Sequence, residues 1–79
     1  MTEDEKWMNL AIEQATKAQD EDEVPVGAVL VKDGLLIAKA HNQPISTNDV
    51  TAHAEIQVLR KAGIKLQNYR LTDSTLYVT

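Results

Sequence analysis

The stretch "VGAVLVKDGLLIAKAH", residues 26–41, decides the fold. Residues 26–32, "VGAVLVK", are a short apolar run rich in β-branched side chains. Asp33-Gly34 follows, and then a second apolar run, "LLIAKAH", residues 35–41. A two-residue type I′ turn needs positive φ at both central positions, so Asp-Gly between two such runs predicts an antiparallel hairpin. Apolar side chains stand at neighbouring positions on both strands, which predicts that both faces of the sheet are covered.

On the N-terminal side, residues 3 to about 19 read as a helix. Thr2 and Glu5 match a capping box, and Glu3 and Asp4 suit the positive end of the helix dipole. Trp7, Met8, Ala11, Ile12, Ala15 and Ala18 recur at helical spacing and form one apolar face, whose plain use is core packing. Residues 20–25 read as an acidic link ending at Pro25. On the C-terminal side, "NQPISTNDV", residues 42–50, reads as a polar loop broken by Pro44. A second helix is expected from about Thr51 to Ala62, with Gly63 as its C-terminal cap. A connector over 64–74 leads to "TLYVT", residues 75–79, which alternates like a strand. The order is α-β-β-α-β. An antiparallel hairpin followed by a β-α-β crossover predicts a mixed sheet with helices packed on both faces.

At 79 residues the chain is at most one small domain, and 43% apolar residues make it globular. One Trp, two Tyr and no Phe leave an aliphatic core. The net charge of −4 speaks weakly against non-specific nucleic-acid binding, because the acids cluster in Glu3–Glu5 and Asp20–Glu23. The absence of cysteine excludes disulfides and any thiolate metal site within these residues. No apolar run reaches membrane-spanning length, and the acidic N-terminus is unlike a secretory or mitochondrial signal. A cytoplasmic protein is the expectation.

The ionisable pair in "TAHAEI", residues 51–56, carries the chemistry. His53 and Glu55 fall in the first turn or so of the second helix. Side chains there lean toward the helix N-terminus, whose free N–H groups and partial positive charge favour an anion. A neutral imidazole at such a mouth suits a metal, and a carboxylate nearby suits proton transfer. A bare H-x-E triplet is nonetheless common by chance, and a backbone-bonded histidine beside a surface acid explains it equally simply. His41, ending the second strand, reads as a surface or strand-end histidine, although it would pair with His53 in a two-histidine site. Asn42 reads as a strand-terminating turn residue.

Four words in order, "EVPVGAVLV" (23–31), "HNQPI" (41–45), "TAHAEI" (51–56) and "NYRLTDSTLYVT" (68–79), resemble the zinc-dependent nucleoside deaminase superfamily. The match leans toward the tRNA-specific adenosine deaminases that convert the wobble adenosine of an anticodon (A34) to inosine. The resemblance implies a cytidine-deaminase-like three-layer α/β/α fold. It also implies Zn2+ held by one His and two Cys, a tRNA anticodon stem-loop as substrate, and a homodimer. It assigns His53 as a zinc ligand, Glu55 as the proton-shuttling catalytic acid and base, and Asn42 as a hydrogen-bonding partner of the flipped base. The backbone of Val26, Gly27 and Ala28 would line the base pocket. Cytidine, deoxycytidylate or guanine deamination remains an alternative at this point, since "VPVGAVLV" with "TAHAEI" is shared loosely among those enzymes.

The family continues from "LYVT" into a P-C-x-x-C segment that supplies two thiolates, and that segment is not among residues 1–79. The expectation is therefore a single incomplete deaminase domain over 1–79 with one of three protein ligands. The isolated chain is expected to be inactive, or to be a non-catalytic piece that needs a complementing partner.

Overall fold

A computed structural model describes residues 1–79. Helix α1 runs Glu3–Asp20, strand β1 Gly27–Lys32, strand β2 Leu35–His41, short helix α2 Pro44–Thr47, helix α3 Ala54–Leu66 and strand β3 Ser74–Val78. The hairpin forms as its sequence predicts, with Asp33 at φ 54° and Gly34 at φ 73°. Thr2 caps α1: its hydroxyl accepts the Glu5 N–H at 3.1 Å and donates to Glu5 Oε1 at 3.2 Å.

The strand order is β2-β1-β3, and β1 runs antiparallel to both neighbours. The expected crossover is present, since β2 and β3 run the same way across α3. However, β1 lies between them, so no parallel pair forms and the sheet is antiparallel rather than mixed. The crossover passes over a strand already laid down by the hairpin.

Helices cover both faces, and β1 sorts its side chains between them. Ala28 and Leu30 join Ala38, Ala40, Ala54, Val58 and Ala62 on the α3 side. Val29 and Val31 join Trp7 and Ala11 on the α1 side. This is the period-2 alternation of a strand buried on both faces. On β2 the register slips, so that Leu30 faces Ala38 and Val31 faces Leu36. Ile37 is the extra residue of a bulge. The bulge lets Ile37 stay on the α3 side beside Ala38 while Leu36 turns to α1. Fully burying an aliphatic side chain such as Val29 or Val58 contributes about 1.5–3 kcal/mol.

Gly27 sets how closely α1 approaches. A Cβ there would lie 2.0 Å from the Ala11 carbonyl oxygen and 2.5 Å from the Ala15 nitrogen. The helix backbone rests directly on the start of β1, which only glycine allows. The buried stripe of α1 is accordingly Trp7, Ala11, Gln14, Ala15 and Ala18. Ile12, expected in that stripe, is half exposed.

Helix α3 starts later and ends later than its sequence pattern suggests. It begins at Ala54 because His53 has extended dihedrals and serves as the N-cap residue. It runs through Gly63 and stops at Gln67, which takes the left-handed conformation at φ 53°. The polar loop contains one turn of helix, α2, with Pro44 at its start, where a missing N–H costs nothing. Strand β3 has β1 as its one neighbour. Beside it, Ile64 and Tyr69 are 78% and 85% exposed and border a wide groove of about 960 Å³ with Leu59 and Leu71. No helix is long and apolar enough to cross a membrane.

Candidate active site at the mouth of α3

Three chain segments converge where β1 begins, β2 ends and α3 starts. The Asn42 N–H donates to the Val26 carbonyl at 3.0 Å, extending the β1–β2 ladder by one rung. The Gln43 N–H donates to the Ala52 carbonyl at 2.9 Å, which brings the turn before α3 alongside. Asn42 itself is 5% exposed, and its Oδ1 accepts the Ala54 N–H at 2.7 Å. That bond satisfies one of the orphan donors at the start of α3, the N–H of its first residue, which an N-cap side chain does not ordinarily reach. It also fixes the amide orientation, since Oδ1 must face the donor and Nδ2 must face away.

His53 makes no side-chain capping bond. Its imidazole is exposed, and Glu55 in the first turn is half-buried. Neither enters an ion pair; the two in the chain join His41 to Glu21 and Arg60 to Asp49. The helix mouth therefore carries an imidazole and a carboxylate that the fold does not engage, beside the Asn42 amide, whose oxygen holds the Ala54 N–H.

His41 does not join this group. Its Nε2 lies 2.9 Å from Glu21 Oε2 and its Nδ1 lies 3.4 Å from Gln14 Oε1, both on the α1 side of the sheet. His53 sits at the start of the helix that covers the opposite side, so the two-histidine site suggested by sequence does not form. Val26 packs on the α3 side next to Asn42, Gly27 faces α1, and Ala28 is buried in the core. Of these three, Val26 is the one that borders the mouth.

Glu23 is the acid that sequence reasoning missed. It lies in the stretch read as an acidic link, yet it is 5% exposed. Its carboxylate accepts the N–H of Ser46 at 2.7 Å and of Ile45 at 3.1 Å, tying α2 to the approach of β1. Burial works against its ionisation. The Ser46 and Ile45 N–H groups and the Ser46 hydroxyl outweigh that and hold the carboxyl below its ordinary value. In the sequence Glu23 stands apart only as the first residue of "EVPVGAVLV". Asp49 is also held low, by the hydroxyl and N–H of Thr51, with Arg60 adding to the effect.

The donor set for a metal is incomplete. A catalytic zinc takes about three protein ligands and keeps one position open. Residues 1–79 contain no cysteine and bring no three His, Cys, Asp or Glu side chains together. His53 fits as one ligand, but these residues alone do not fit the ion.

The family model for the cytidine and deoxycytidylate deaminase zinc-binding region matches residues 1–79. A tRNA-specific adenosine deaminase of Agrobacterium fabrum is 51% identical over 79 residues, covering 100% of this chain and 52% of the relative. A chain solved in studies of A-to-I editing by tRNA:A34 deaminases at the wobble position of transfer RNA is 50% identical, with a TM-score of 0.95 over 99% of this chain and 60% of that one. A guanine deaminase from Bacillus subtilis is 40% identical, with a TM-score of 0.89 over 94% of this chain and 48% of that one. The chain spans about half the length of the curated relatives it matches.

Proposed function

Since the chain belongs to the cytidine and deoxycytidylate deaminase zinc-binding family, we propose that it forms the N-terminal part of a tRNA adenosine deaminase. The reaction replaces the C6 amino group of the wobble adenosine by oxygen from water, leaving inosine and ammonia. The observation that carries the reading is the helix mouth, where Asn42 holds the Ala54 N–H and neither His53 nor Glu55 enters an ion pair or a side-chain capping bond.

In this reading Glu55 takes a proton from the water whose oxygen bonds to C6. It returns a proton to the departing nitrogen as the C6–N bond breaks. Asn42 holds the base through Nδ2, the end of its amide that faces away from α3. Val26 borders the base, and the backbone of Gly27 and Ala28 behind it is held rigid by α1 and the core. His53 would be one ligand of the family's zinc, which would polarise the attacking water, and residues 1–79 would not hold the ion alone. The substrate is a tRNA anticodon stem-loop, and a homodimer in the cytoplasm accompanies the reading. Such a loop offers an unstacked base to a pocket, so the chain's negative charge is no obstacle.

Guanine deamination is the second reading, favoured by the B. subtilis structure, but the identity to it is lower than to the tRNA deaminases. A substrate panel separates them. The complete protein is incubated with an anticodon stem-loop, free guanine and free cytidine, and the products are resolved chromatographically. Inosine from the stem-loop alone supports the proposal. Xanthine from guanine with an unchanged stem-loop overturns it.

A further inference from the structure

Gln57 lies one turn into α3 and has no part in the chemistry described so far. Its side-chain amide donates to the His41 carbonyl at 2.6 Å and to the Ala52 carbonyl at 3.2 Å. Its backbone N–H donates to the His53 carbonyl at 3.0 Å. The first two carbonyls belong to the peptide groups that lead directly into Asn42 and into His53. One NH2 group thus fixes both peptide planes from which those side chains depart. The two planes come from segments separated by the whole 43–51 loop, and α3 is the rigid body that holds them in register.

We propose that Gln57 is a positioning residue for the site, setting where the Asn42 amide stands relative to His53 and Glu55. The inference rests on the functional reading above and names a residue that acts through its neighbours without touching the base. An amide is the group the position needs. Methionine has similar length but no donor, and an ionised glutamate would aim negative oxygen at two carbonyl oxygens.

The test uses the complete protein with Gln57→Met and Gln57→Glu. Two readouts are taken: hydrogen exchange at the Ala54 amide, and kcat and KM on the stem-loop. A displacement of about 1 Å can cost about 100-fold in rate, so we expect kcat to fall at least about tenfold in both variants. KM should stay within about threefold, because most RNA contacts are untouched. Exchange at Ala54 should speed up at least about tenfold as the Asn42 bond loosens, while Ala62, two turns further along α3, keeps its protection. A merely structural role predicts faster exchange at Ala54 and Ala62 alike, with kcat per folded molecule unchanged; that outcome overturns the proposal. Exchange at Ala54 within twofold of the parent overturns it as well. If the parent deaminates no RNA, the functional reading fails by itself, and Ala54 exchange still decides whether Gln57 positions Asn42.

Discussion

Asn42 Oδ1 accepts the backbone N–H of Ala54 at 2.7 Å, so the residue that ends the hairpin also starts the helix carrying His53 and Glu55. The bond turns Nδ2 away from the Ala54 donor. The oxygen holds α3, and the nitrogen is the end proposed to hold the base.

This division gives a two-variant prediction. Asn42→Asp keeps an oxygen that can accept from Ala54 and adds a negative charge favourable at a helix N-terminus. Asn42→Ala removes the acceptor and costs about 0.5–2 kcal/mol. Deamination should be lost in both, whereas thermal unfolding should be near the parent for Asp and clearly lower for Ala. Equal destabilisation by the two would show that Oδ1 does not cap α3.

Gly27→Ala is expected to be among the most damaging single changes. Its new Cβ meets helix backbone, which has no flexible end to swing aside. The cost is about 3 kcal/mol or more, at or above the upper end of overpacking penalties. Chemical denaturation measures it, and a loss under about 1 kcal/mol would mean that α1 does not rest on β1 as described.

Gly63→Ala should act in the opposite direction. Gly63 is inside α3 without positive φ, and a Cβ there would meet only the Asn68 carbonyl oxygen at an ordinary 3.6 Å. Replacing glycine within a helix should stabilise by about 0.5–1 kcal/mol. A lower melting temperature would mean that α3 ends before Gly63, as the sequence pattern alone suggested.

That difference shows which parts of the molecule are legible in sequence. The hairpin and the start of α1 are readable because their determinants are local: positive φ at Asp33-Gly34, and a hydroxyl three residues before an acid. The ends of α3 are not, because Asn42 caps it from twelve residues away and Gln67 adopts a left-handed conformation that glycine would advertise. His53, Glu55 and Asn42 stand out in the sequence only through the family resemblance; in the structure His53 is the N-cap residue of α3, Glu55 lies in its first turn and Asn42 bonds Ala54 between them. Glu23 reads as part of an acidic link because its partners, two N–H groups of α2, are brought to it only by tertiary structure. The mixed sheet failed for a similar reason: strand order depends on where β3 docks, and nothing in residues 74–78 states it.

Glu23 also predicts an acid-side stability profile. Its carboxyl is held below the ordinary value of 4.5 in the folded state. A depressed folded value contributes stability that is present above the unfolded value and is lost as pH falls through the folded one. Stability should therefore decline from about pH 5 downward, and Glu23→Gln should make the decline shallower. Asp49 is shifted the same way, so some decline persists in the variant. Urea midpoints measured across that range check the slope, and parallel curves would remove Glu23 as a cause.

The proposed role of Glu55 is to move the protons of deamination at the mouth of α3. Its most direct test is single-turnover inosine formation on an anticodon stem-loop by the complete protein and by its Glu55→Gln variant. A loss of at least about 100-fold in rate is expected, as for removal of a general acid–base group, with stem-loop binding and thermal unfolding close to the parent. Inosine formation at the parent's rate by the variant would contradict it.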